Sequence, residues 1–76
     1  MDINNLPPYL RPKEAMYIAR LSRNTLKARI RDGLIDAEPI NERGDLRIST
    51  MSLLSFLGHD ETLQARAIDI LRSLSA

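Results

Sequence analysis

Leu21-Ser22-Arg23-Asn24-Thr25-Leu26-Lys27-Ala28-Arg29-Ile30-Arg31 reads as a short helix. Ser22 has the hydroxyl that caps a helix start, where it accepts a hydrogen bond from a backbone N–H with no partner inside the helix. Leu26 and Ile30 stand four apart and form an apolar stripe, with Leu21 just ahead of the cap. From Arg20 to Arg31 the chain carries five cations (Arg20, Arg23, Lys27, Arg29 and Arg31) and no acid. Arg23 and Lys27, then Lys27 and Arg31, adjoin on the helix surface, and each like-charge pair costs about 0.2–0.5 kcal/mol. Arg23 also opposes the positive end of the helix dipole. Breaches of local rules without nearby compensation occur at functional sites. A phosphate backbone would offset this repulsion.

Outward from this stretch, a fold takes shape. Gly33, after Asp32, supplies a left-handed stop. Upstream, Pro12 suits a first helical turn, Glu14 sits near its positive dipole end, and Ala15, Ile18 and Ala19 repeat at helical spacing. That predicts a first helix over Pro12–Ala19, followed within a few residues by the second, as in a helix-turn-helix. Beyond Gly33, Ile40 and Leu46-Arg47-Ile48 flank the turn-forming Asn41-Glu42-Arg43-Gly44-Asp45. This spacing predicts a two-stranded hairpin with Gly44 near its tip and Pro39 on an edge strand. Ser49 or Thr50 caps a third helix with core residues Leu53, Phe56 and Leu57, ended by Gly58. Asp60 or Glu61 starts a fourth, striped by Leu63, Ala67, Ile70, Leu71 and Leu74. The expected organisation is an irregular arm over 1–9, containing Asn4-Asn5 and Pro7-Pro8, a winged domain over 10–58, and a C-terminal helix within 59–76.

Composition narrows the class. Seventy-six residues, 43% hydrophobic and 28% charged, make one small globular domain. Such a chain buries only roughly 60% of its unfolded surface, so its margin of stability is small. With no cysteine there is neither a disulfide framework nor a thiolate metal site. No apolar run approaches the ~20 residues of a membrane span. Met1-Asp2-Ile3-Asn4-Asn5 lacks the pattern of a signal peptide, which leads to the expectation of a cytosolic protein. Net charge is only +1. Its distribution says more, because the basic block is followed over residues 32–46 by Asp32, Asp36, Glu38, Glu42 and Asp45 against Arg43 alone. One face of the domain should attract anions.

Leu10-Arg11-Pro12-Lys13-Glu14-Ala15, Leu21-Ser22-Arg23-Asn24-Thr25-Leu26, Ile30-Arg31-Asp32-Gly33 and Gly44-Asp45-Leu46-Arg47-Ile48, with Leu53, Phe56 and Leu57, carry a closer resemblance. In that order and at these spacings they resemble the excisionase-type, MerR-related DNA-binding domain across about residues 9–57. In that family lysine-glutamate-alanine opens the first helix, serine-arginine-x-threonine opens the recognition helix, and an arginine lies on the returning strand of the wing. The resemblance implies a mainly α fold with a small β-hairpin, a winged helix-turn-helix with an additional C-terminal helix. It implies double-stranded DNA as partner and several copies that bind neighbouring sites, bend the DNA and help place an integrase. Excisionases, small activators of integrase genes and terminase subunits share the module, so a transcriptional regulator is the alternative role. Three positions depart from the family. Arg11 replaces a hydroxyl cap, Arg20 stands where glycine is frequent and would cost about 1 kcal/mol at positive φ, and Arg29 replaces an aliphatic and can snorkel toward phosphates.

On the second helix, with Leu26 and Ile30 inward, Arg23, Asn24, Lys27, Ala28 and Arg31 face outward. A major groove admits such a helix, and residues near its start reach base edges. Arg23 suits guanine and Asn24 suits adenine by paired hydrogen bonds, while Ala28 permits close approach or meets a thymine methyl. Lys27 and Arg31 are the expected phosphate contacts, joined by Arg20 and Lys13. Arg43 and Arg47 are wing candidates for a minor groove or its phosphates, unless Glu42 and Asp45 hold the wing by local ion pairs. Thr25 in the first turn can simply support the cap. His59, the one histidine, suits helix capping, with no cysteine or acid pair to make a metal site. No serine has a histidine base at workable spacing and no glycine-rich phosphate loop is present, so neither enzymatic activity nor a cofactor is expected. The fourth helix either covers the domain's own core or joins another copy or a recombinase. A protein adapter, with the basic helix docked on an acidic surface, is the reading from another class.

Overall fold

The computed structural model describes residues 6–75. Strand β1 (Tyr9–Leu10) leads into helices α1 (Pro12–Ala19) and α2 (Arg23–Arg31). Strands β2 (Ala37–Pro39) and β3 (Leu46–Ser49) follow, then α3 (Thr50–Phe56), a 3₁₀ turn over Leu57–His59, and α4 (Glu61–Ser75). The architecture is mainly α with a small hairpin, a winged helix-turn-helix carrying an additional C-terminal helix.

Local chemistry explains most boundaries. Glu14 compensates for the missing hydroxyl at Arg11 by accepting the Arg11 backbone N–H at 2.9 Å, with Pro12 holding the first turn. At the other end Arg20 adopts the left-handed conformation (φ 57°, ψ 43°). The N–H of Leu21 then reaches Met16 O at 3.0 Å and that of Arg20 reaches Tyr17 O at 3.4 Å, a Schellman closure of α1. Ser22 Oγ accepts Thr25 N–H at 3.2 Å to start α2. Gly33, at φ 79°, ends α2 as its sequence predicts, with Leu34 N–H on Arg29 O at 2.9 Å.

The sheet differs from the expected hairpin in two ways. It is three-stranded and antiparallel in the order β1-β3-β2, with Tyr9 opposite Ser49 and Leu10 opposite Ile48. The irregular arm expected over 1–9 is therefore corrected at Tyr9, which pairs, and at Leu6, which is buried; positions 1–5 lie outside the described residues. A two-residue strand beside Pro7-Pro8 leaves no periodicity to read. Finally, β2 lies one step earlier than expected and excludes Ile40, whose N–H still closes the loop onto Asp45 O at 2.8 Å. Pro39 is on an edge strand as expected, paired with Leu46. Asn41 organises the tip, its Oδ1 accepting Arg43 N–H at 3.0 Å and Asp45 N–H at 3.3 Å.

Ser49 caps α3 through Ser52 N–H. Helix α3 ends at Phe56, two residues before the Gly58 expected to end it, and Gly58 sits inside the 3₁₀ turn without a positive φ. Asp60 Oδ1 accepts Thr62 and Leu63 N–H at 3.0 and 3.2 Å and starts α4. The core gathers Ala15 and Ile18 of α1, Leu26 of α2, Ile35, Ile48, Leu53, Leu57, Ala67 and Leu71. Phe56 is only half-buried, edge-on to His59 at 5.7 Å. Helix α4 packs on α1 and α3 and so covers the domain's own core. Leu74 departs from its expected core position at 50% exposure, because the eight residues of α1 give about 12 Å of helix against about 22 Å of α4.

Thr50 Oγ1 is buried with no hydrogen-bond partner among the described residues. An unpaired buried hydroxyl costs about 1–3 kcal/mol. Thr50→Val, similar in shape, is expected to stabilise the fold by about 1 kcal/mol and raise the thermal midpoint by about 4–8 °C. A lowered midpoint in a calorimetric scan would refute this reading of Thr50.

Candidate nucleic-acid interface

Burying Leu26 and half-burying Ile30 orients α2, and everything outward follows from that rotation. Helical periodicity then sorts the outward residues into two rows. Arg23 and Lys27, with Ile30, border a groove between α2 and the hairpin. Asn24, Ala28 and Arg31 form the neighbouring row, and none of them lines the groove. Arg23, Asn24, Lys27 and Arg31 are exposed, while Ala28 and Arg29 are half-buried. Thr25 is committed to the cap, its Oγ1 accepting the Ser22 hydroxyl at 2.9 Å.

Lys13, on the first turn of α1, lines the same groove as Arg23 and Lys27, and Arg11 joins them. Arg20 is exposed in the turn just ahead of the α2 cap, outside the groove. Among the described residues no acid lies within ion-pair distance of Arg11, Lys13, Arg20, Arg23, Lys27 or Arg29. Arg31 meets only Asp32, at 3.4 Å and with both side chains open to solvent, a pair worth little. Among the described residues no carboxylate therefore relieves the repulsion between Arg23 and Lys27, and only the solvent-exposed Asp32 bears on Arg31. The surface stays positive.

The wing arginines are placed differently. Arg43 stands at the hairpin tip, exposed, 3.5 Å from Asp45. Strand alternation puts Arg47 on the face opposite Leu46 and Ile48, and it is those two that line the groove. On that outer face Arg47 Nη2 and Nε donate to Glu38 Oε2 at 2.7 and 3.2 Å, and the guanidinium covers the Tyr9 ring at 4.2 Å. The hydrogen bond to Glu38, then the Glu38 charge, raises the Arg47 pKa above its ordinary value. Thus Arg23, Lys27 and Lys13 come together, whereas Arg47 belongs to a separate cluster with Tyr9 and Glu38.

Sequence reasoning missed Tyr9, Glu38 and Arg66. Arg66 of α4 is half-buried, and its Nη1 donates to Ile18 O at 2.9 Å and Tyr17 O at 3.2 Å while stacking on Tyr17 at 5.1 Å. It caps the end of α1 from another helix and so braces the turn that sets α2. Forty-eight residues separate Arg66 from Ile18, and no local spacing signals such a pair. Glu38 opposite Arg47 needed only the correct hairpin register. His59 Nδ1 lies 2.7 Å from Phe56 O, in the capping position its sequence suggests. Among the described residues no helix is long and apolar enough to cross a membrane.

No family model, curated protein or solved structure matches this chain.

Arg66→Ala should destabilise the domain by about 2 kcal/mol, because two helix-end carbonyls lose a charged donor. Arg66→Lys should recover less than half of that loss, lacking the planar fork. Denaturant unfolding measures both, and an unchanged midpoint for Arg66→Ala would remove the brace.

Proposed function

We propose that this chain is a sequence-specific DNA-binding protein, an excisionase or recombination directionality factor that bends DNA to assist integrase-mediated excision. The observation that carries the DNA-binding reading is the acid-free outer surface of α2. There Arg23, Asn24, Lys27 and Arg31 face solvent beside half-buried Ala28, and among the described residues only the exposed Asp32 meets one of these cations, Arg31. Docked in a major groove, Arg23 and Asn24 near the α2 start read base edges and Ala28 permits close approach. Lys27, Arg31, Arg20 and Lys13 neutralise phosphates. Arg43 at the hairpin tip would exchange its solvent-exposed pair with Asp45 for the adjacent backbone, and Arg47 would join it only by leaving Glu38 and Tyr9 on the outer face of the hairpin. The step to excision rests on the family resemblance of residues 9–57. Copies on adjacent sites would pool their phosphate contacts to offset DNA deformation.

With about four to six phosphates neutralised per chain, log affinity should fall with log salt concentration at a slope near −4 to −5. Absence of DNA binding at low salt would end this reading. Arg23→Ala should lose about 1–3 kcal/mol of preference at one base position, whereas Lys27→Ala should weaken all sequences alike. The directionality role is checked by excision of a plasmid-borne element with its integrase, which should require this chain.

Arg20 tests the same surface from the side of stability. Its left-handed backbone costs roughly 1 kcal/mol that glycine would not incur. Arg20→Gly should therefore raise the thermal midpoint while reducing the salt slope by about 1. An unchanged slope would remove Arg20 from the phosphate contacts.

A further inference from the structure

We infer that the groove between α2 and the hairpin is a docking site for an acidic, apolar-faced helical segment of another protein. The groove has a volume of about 680 Å³ and opens to solvent. Half-buried Met16, Ile30 and Leu46 line it over a floor of the core residues Leu26 and Ile48, and Ile40 stands on its hairpin side with 57% of its surface exposed. Around this apolar lining are four cations, Arg11, Lys13, Arg23 and Lys27, against one acid, Asp45.

DNA accounts for only half of that chemistry. Phosphates need cations, which the rim supplies through Arg23, Lys27 and Lys13, but they leave the apolar lining of Met16, Ile30, Ile40 and Leu46 without a partner. An apolar strip bordered by cations along its α1 and α2 sides complements a helix with aliphatic side chains on one face and carboxylates beside them. Such helices dock by laying their apolar face into a groove. Methionine, unbranched and polarizable, adapts to the side chains it receives. The volume falls within the ~300–1,000 Å³ of ligand sites, but an open groove suits the side chains of a segment better than an enclosed small molecule. Arg23 and Lys27 belong to both this rim and the proposed DNA surface, so the segment and DNA exclude each other. Only that exclusion rests on the DNA reading.

The test uses the full chain and two labelled synthetic peptides, one with leucines at helical spacing among glutamates, the other with serines replacing the leucines. In fluorescence anisotropy the leucine peptide should bind at least about tenfold more tightly than its serine counterpart. Ile40→Ser should weaken the leucine peptide about tenfold with an unchanged circular dichroism spectrum. Lys27→Ala should weaken both peptides. Equal affinity of the two peptides, or no effect of Ile40→Ser, would overturn the proposal. Tighter binding of decanoate than of the leucine peptide would also overturn it, in favour of a small amphipathic anion. A concentration-dependent dimer in sedimentation, lost in Ile40→Ser, would give the groove to a second copy instead. In a separate arm the leucine peptide should displace bound duplex DNA. Peptide binding in a chain that binds no DNA would end the DNA reading and leave the docking site standing.

Discussion

The turn Arg20-Leu21-Ser22 is the constraint on which the rest of the molecule depends. Within three residues the chain ends α1, reverses through a left-handed arginine and caps α2 with a serine hydroxyl. A link this short leaves no freedom to rotate α2 about its axis. Leu26 must enter the core, and the cationic rows must leave it. Two external supports hold the turn in place. Arg66 donates to the last carbonyls of α1, and Ile18 and Ala19, both buried, anchor the preceding turn. A left-handed arginine persists because the structure around it determines its conformation more strongly than its own preference does.

Charge is then distributed by what each element can reach. Three of the acids that follow α2 in sequence pair with arginines other than Arg23 at its start. Asp32 meets Arg31, Asp45 meets Arg43, and Glu38 meets Arg47, so three carboxylates are engaged by arginines outside the Arg23–Lys27 row. These contacts are solvent-exposed, and their direct contribution to stability is small. Their larger consequence is geometric, since they keep negative charge at the hairpin and α2 C-terminus while the α2 start stays positive. A field divided in this way makes one face attractive to anions even though the net charge is only +1.

The same hairpin presents two unlike faces. Leu46 and Ile48 turn toward α1 and α2 and complete the apolar groove, while Arg47 turns outward over Tyr9. The third strand makes that outward cluster possible, because β1 carries Tyr9 alongside β3. Helix α4 packs against α1 and α3. It closes the core over α1 and α3 with Ala67 and Leu71, which a domain of this size needs.

Both helices of the helix-turn-helix, the glycine stop at position 33, the edge placement of Pro39 and the serine cap of α3 were legible in the chain. Each depends on bonds or sterics within a few residues, and such contacts leave periodic or positional marks. The exposed α2 cations were legible for the same reason, because a helix with Leu26 and Ile30 inward has only one way to face. Other features carried no local mark. The pairing of Tyr9 with Ser49, the outward turn of Arg47 and the Arg66 cap on α1 join residues far apart in sequence. Their energetics depend on loop closures that only the packed core sets. By itself the sequence determined which helix is cationic and which side of it is buried, through short-range periodicity and capping. Only the tertiary structure decided which of those cations share a groove with an apolar lining and which arginine is held by a carboxylate, because long-range strand register and helix packing place those groups.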